Sequence, residues 1–185
     1  CQLIALGRDP HLQRFLASTE AAILRRAVPG SATAVAAQRV FRATKGVEGA
    51  ANHASGSRLP VCKQLEAIFA DGNDVVQAIA ALDSRLQWYR RRTADVDDDV
   101  FWNGHANAMI LGPGGLEVRD DVWIGVTLMA PDVVYVDHQH PPEEVYLALT
   151  AGTFRGFSST VQVARGFRDP TLSDRYYRGP TGRGF

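Results

Sequence analysis

Net charge and cysteine are what this 185-residue sequence has least of. Twenty Lys and Arg balance twenty Asp and Glu, so no global field favours a polyanionic partner, and a nucleic-acid partner is not expected. The two cysteines, Cys1 and Cys62, cannot build a disulfide framework, which fits a reducing, cytoplasmic setting. No apolar run approaches the ~20 residues that span a bilayer, so no membrane role is expected. The first residue is Cys rather than Met, and we read the chain as a fragment or a processed form, with a removed signal or a lipid-anchored Cys1 as the alternative. Charge is uneven: residues 151–185 hold six Arg against Asp169 and Asp174, the pattern of a solvated basic tail.

What is present is an ordinary globular composition, 45% hydrophobic, enough for one sizeable core. Asp9-Pro10 reads as an N-cap followed by proline in the first helical turn, with Leu12, Phe15, Leu16, Ile23 and Leu24 at helical spacing to about Val28. Ser31 caps a second helix to about Lys45. His11 reads as a surface residue of the first helix. Residues 46–58 are small and polar, a loop that includes His53. Val61, Leu65, Ile68 and Phe69 form one short helical stripe, and Asn73 caps another carrying Val76, Ile79 and Leu82. Arg90–Arg92 and then Asp95–Asp99 mark a boundary, after which the period changes to two. His105–Leu111, Leu116–Val118 and Val122–Met129 read as strands, with Gly112-Pro-Gly-Gly115 as a turn and the last strand apolar on both faces. The domain reading is a helical region and loop over 1–58, short helices over 59–98, a strand-built unit over 99–155, and an atypical Arg/Gly-rich tail over 156–185.

The chemistry concentrates in Tyr135-Val-Asp-His138-Gln-His140-Pro-Pro-Glu-Glu144-Val-Tyr146. Strand side chains alternate, so His138 and His140 share a face, as do Glu144 and Tyr146 beyond the prolines. Two imidazoles and a carboxylate are ligands for a divalent cation such as Zn²⁺, Fe²⁺ or Mn²⁺. A solvated His-x-His face and a polar turn are the plainer reading of the same fragments.

This stretch resembles the first metal-binding motif of the cupins, and more narrowly the cupin-type dimethylsulfoniopropionate (DMSP) lyases. The narrower resemblance is carried also by Gly104–Glu117 and Asp121–Pro131, and spans about residues 60 to 150. It implies a mainly β chain: a small antiparallel cupin-like β-barrel, incomplete at its C-terminal end, behind an α-helical N-terminal region. It implies one divalent transition metal (Zn, Fe or Mn) at His138, His140 and Glu144, no organic cofactor, Tyr146 as base, and Tyr135 at the substrate. Aromatic faces suit a sulfonium cation, which makes Tyr135 and Trp123 the substrate-binding candidates. The implied activity is cleavage of DMSP to dimethyl sulfide and acrylate by α-proton abstraction and β-elimination. A cupin dioxygenase or isomerase and a non-catalytic cupin-like binding protein are the alternatives. The partner expected is that small molecule, with monomer and homodimer both open.

The sequence departs from the general cupin pattern at Asp132 and Ala151, where glycines are usual, and holds no histidine after His140. The second cupin motif, which supplies a further imidazole and closing strands, has no counterpart. His105 is the upstream strand histidine that can substitute, against a simpler structural role. The chain as written is therefore expected to hold its metal through an incomplete shell.

Overall fold

The computed structural model describes residues 7–46, 48–70, 72–91, 98–131, 133, 144–149 and the backbone of 158–164. The helices begin where local capping chemistry places them. The Asp9 carboxylate accepts from the His11 and Leu12 amides and opens α1 (Pro10–Arg26). Ser31 Oγ accepts from the Ala34 amide at the start of α2 (Ala32–Gly46). A 3₁₀ turn (Pro60–Gln64) leads into α3 (Leu65–Ala70), and Asn73 caps α4 (Asp74–Leu82) through the Val75 and Val76 amides. Each side-chain oxygen satisfies an amide that has no partner inside its own helix. A short α5 (Asp99–Gly104), capped by Asp98, arises where the acidic run reads only as a boundary.

The strands are β1 (Ala50–Ala51), β2 (Trp88–Tyr89), β3 (His105–Leu111), β4 (Glu117–Val118), β5 (Trp123–Met129), β6 (Glu144–Ala148) and β7 (Ser158–Ala164). They join in the order β1-β4-β3-β5-β7-β6, with β2 also on β3. The reading of a mainly β chain with an antiparallel barrel needs correction. Among the described residues helices occupy more of the chain than strands, β3 and β4 pair in parallel, and the sheet runs open from β1 to β6. The physical reason is that the helices are part of the core. Phe15 and Ile23 of α1, Phe41 of α2 and Ile79 of α4 belong to one buried cluster with Ile124, Val126, Val145 and Leu147 of the sheet. Residues 158–164, which read as part of an irregular tail, form a strand between β5 and β6.

Burial alternates along the sheet. Ala106 and Ala108 of β3, Ile124, Val126 and Leu128 of β5, and Val145 and Leu147 of β6 are buried in the core shared with the helices. Asn107, Met109, Gly125, Glu144 and Tyr146 are intermediate, so the second face is the one left for chemistry. β5, which reads from sequence as apolar on both faces, carries Trp123, Gly125, Thr127 and Met129 on its second face, and its Val126–Met129 end is buried on both.

Two buried polar arrangements hold the periphery in place. Arg8 grips Glu117 with two nitrogens, at 2.6 and 3.0 Å, and its third nitrogen donates to the Thr44 carbonyl at 2.7 Å. Arg119 donates to Glu117 at 3.3 Å, to both Asp121 oxygens at 2.8 Å and to the Ala43 carbonyl at 3.2 Å. The Gly49 amide completes the Glu117 shell at 3.0 Å. One carboxylate thus ties the segment before α1, the end of α2 and β4 together, and both guanidiniums meet carbonyls at a helix C-terminus, where positive charge is favoured. Burial by itself would raise the Glu117 carboxyl, but the Arg8 hydrogen bonds and the Gly49 amide outweigh it and hold it below its ordinary range. The second arrangement is His105, fully buried, with its ring stacked on Phe101 at 3.9 Å. Its Nδ1 lies 2.5 Å from the Phe101 carbonyl and its Nε2 accepts from the Arg91 amide at 3.0 Å. A carbonyl only accepts, so Nδ1 carries the proton and the ring is neutral. Burial pushes its pKa down, against the opposing hydrogen bond to Phe101.

Both arrangements have measurable consequences. The depressed Glu117 carboxyl contributes stability above its unfolded-state pKa of about 4.3, and loses it as pH falls through the lower folded value. Glu117→Gln, which leaves two buried guanidiniums short of a counter-charge, should cost ~3–5 kcal/mol in denaturant unfolding at pH 7. The wild-type advantage should shrink between pH 5 and 3, and an advantage unchanged over that range would contradict the assignment. For His105, nitrogen-detected NMR at pH 6 should show a neutral ring protonated on Nδ1. Added Zn²⁺ should leave its resonances unmoved, and a shift would mean that Nε2 is free to ligate.

Candidate functional site

β6 supplies the described half of the candidate site. Glu144 and Tyr146 stand two residues apart on one strand and project to the same side, away from Val145 and Leu147 in the core. The Tyr146 hydroxyl donates to Glu144 Oε2 at 2.5 Å, a short hydrogen bond of the charge-assisted kind. A carboxylate and a phenol are therefore brought together on the less buried face. Tyr135, His138 and His140 lie outside the described residues. Among the described residues no group of three His, Cys, Asp or Glu could hold a metal ion. Glu144 and Tyr146 nevertheless offer two oxygen donors of a kind that a divalent cation accepts, and two imidazoles from His138 and His140 would make a set suited to Zn²⁺, Fe²⁺ or Mn²⁺. His105 does not join that set, because both its ring nitrogens are already engaged. His11 and His53 are exposed, as the sequence suggests.

The register extends this face across the sheet. Directly paired residues share a face, so Glu144, paired with Ala164 and through it with Trp123, lies in one row with the indole. Trp123 is 38% exposed, which leaves part of its ring surface available to a ligand. The next row runs from Tyr146 through Gln162 to Gly125 and Met109. Beyond it lies a polar pair, with the Thr127 hydroxyl donating to Asn107 Oδ1 at 2.7 Å. Neighbouring strands are ~4.8 Å apart, so Trp123 and Gly125 sit about two spacings from β6. The structure thus unites Glu144, Tyr146 and Trp123 on one face. It adds Met109, Gly125, Asn107 and Thr127, which sequence reading passes over. Their signal is parity: each falls at an odd position of a strand whose even positions are all apolar.

A turn shapes the end of this face. The β3–β5 ladder slips between Met109 and Leu111, a bulge of the type that re-aims side chains beside functional sites. Gly112 follows with φ +131°, a conformation that L side chains rarely adopt. A Cβ there would stand 2.9 Å from Met109 Sδ and 3.2 Å from Trp123 Cδ1. The glycine therefore lets the thioether and the indole meet at one corner.

The family model described as dimethylsulfoniopropionate lyase matches residues 32–167, a wider span than the motifs indicate, reaching into α2 and past β7. Among solved structures the chain is similar to DMSP lyase DddQ from Ruegeria pomeroyi DSS-3, at 19% identity and TM-score 0.58, over 89% of this chain and 95% of that one. It is also similar to a chain from the crystal structures of the DMSP lyases RdDddP and RnDddQII, at 18% identity and TM-score 0.56, over 84% of this chain and 92% of that one. At such identities the structural likeness establishes the fold. No curated protein matches. No helix among the described residues is long and apolar enough to cross a membrane. The family match covers most of the chain, and this protein belongs to the dimethylsulfoniopropionate lyase family.

Proposed function

We propose that the chain cleaves DMSP to dimethyl sulfide and acrylate on the face of β6 that carries Glu144 and Tyr146. The observation that carries this reading is the Tyr146–Glu144 hydrogen bond on a face turned away from the core, in a chain of this family. His138, His140 and Glu144 would hold a divalent transition metal, which supplies positive charge for a substrate carboxylate and favours an ionised phenol beside it.

Tyr146 is the base. A phenol in water titrates near ~10, so it must be ionised by its surroundings before it can take a proton. In the structure its hydroxyl donates to Glu144, which holds the phenol beside the site, and its proton would leave to solvent when a bound cation favours the phenolate. The phenolate then takes the α-proton of the substrate. The Cα–H electron pair becomes the second bond between Cα and Cβ, and the Cβ–S bond breaks with its pair on sulfur. Acrylate, dimethyl sulfide and a protonated phenol result, with no net oxidation and no organic cofactor. Trp123, in the row of Glu144, offers a ring face to the sulfonium, and Tyr135 is a second aromatic candidate for that end. A cytoplasmic location and a small-molecule partner without nucleic acid or membrane complete the reading.

The test is headspace detection of dimethyl sulfide from purified protein supplied with DMSP and Zn²⁺, Fe²⁺ or Mn²⁺. Wild type should release it. Tyr146→Phe should keep the fold and lose roughly 10²–10⁴ in rate, the usual share of general-base assistance. Retention of more than about a tenth of wild-type turnover would remove Tyr146 from the base role.

A further inference from the structure

The row that crosses the sheet from Tyr146 includes a position with no side chain. Tyr146 pairs with Gln162, Gln162 with Gly125, and Gly125 with Met109. At Gly125 the face is lowered to the backbone. A Cβ there would come 3.1 Å from the Ala108 carbonyl oxygen and 3.9 Å from Met109 Sδ. The recess therefore has a peptide floor and a thioether at its far side. The missing side chain at Gly112 leaves the thioether its place at this corner, since a Cβ there would stand 2.9 Å from Met109 Sδ. Trp123 closes the same corner, with Cδ1 3.2 Å from that point. A glycine inside a strand usually marks a bulge or the close approach of another group. Here the slip in register lies on β3 beside it, and Gly125 itself is regularly paired on both sides.

We propose that Gly125 and Met109 set the size of the sulfonium group that the site accepts. This rests on the lyase reading, with the carboxylate end of the substrate at Glu144 and the α-carbon at Tyr146. The rest of the molecule then extends along the rows toward β5, over Gly125, and its dialkylsulfonium end meets Met109 and Trp123. Those two present polarizable, uncharged surface to a diffuse cation. Two methyl groups fit a recess one side chain deep, whereas longer alkyl groups run into the thioether. Met109 and Gly125 act on specificity and take no part in proton transfer.

The experiment compares wild type, Met109→Ala and Gly125→Ala as full chains, on DMSP and on its diethylsulfonio homologue. Dialkyl sulfide release gives kcat/KM, calorimetry gives affinity, and thermal melts confirm folding. Met109→Ala should raise the diethyl-to-dimethyl ratio by about tenfold, the low end of what one methylene decides in an apolar pocket. Gly125→Ala should lower that ratio. A ratio within twofold of wild type in folded Met109→Ala overturns the proposal, whatever Gly125→Ala does. Should wild type release no sulfide from either compound, the lyase reading falls, and the calorimetric affinity ratio decides the size claim by the same criterion. Absence of binding by both compounds overturns it outright.

Discussion

The constraint on which everything else depends is that one face of the sheet is sealed beneath helices. Val145 and Leu147 of β6, with Ile124, Val126 and Leu128 of β5, are locked into a core shared with Phe15, Phe41 and Ile79. Because strand side chains alternate, that burial dictates the direction of every other residue, and a slip by one would carry the apolar set into the site. Glu144, Tyr146 and Trp123 face outward together because Val145 and Ile124 cannot. Truncating one of the buried phenylalanines to alanine removes roughly 3–5 kcal/mol by loss of transfer energy and formation of a cavity, a substantial part of a typical domain's stability. Aim of the site and stability of the core are thus one property.

The Glu117 cluster does for the edge what the apolar core does for the centre. A carboxylate 3% exposed is tolerable only because two guanidiniums and an amide surround it. Those guanidiniums also satisfy carbonyls at the end of α2. The helix that covers β6 and β7 is thereby pinned to the strand beside β3, on the far side of the sheet order from Glu144 and Tyr146. His105 plays a comparable part where α5 meets β3. Its two hydrogen bonds fix one tautomer, and they settle a question that histidine spacing leaves open.

Much of the fold was legible because much of it is local. Asp9-Pro10, Ser31 and Asn73 announce helix starts through chemistry confined to four residues, and His105–Leu111 shows its period within its own length. What was not legible depends on partners. β7 is a strand because β5 and β6 flank it, while its own Ser, Thr and Gln read as an irregular tail. β1 and β2 are two residues each, too short for any period. The helices read as an appendage to a barrel because amphipathic stripes say that a face is buried and not against what. At the site, Glu144 and Tyr146 were legible from spacing two apart, and Trp123 from its aromatic character. Gly125 and Met109 were not, since only the ladder β6-β7-β5-β3 sets them in the row of Tyr146.

The central claim is that the outward face of β6 is a metal-dependent reaction site, and metal content tests it most directly. Protein prepared with Zn²⁺, Fe²⁺ or Mn²⁺, freed of excess ion and measured by elemental analysis, should retain metal as wild type. It should lose most of that metal as Glu144→Ala, with the circular dichroism spectrum unchanged. Equal metal in the two proteins, or none in wild type with any of the three ions, would contradict the account.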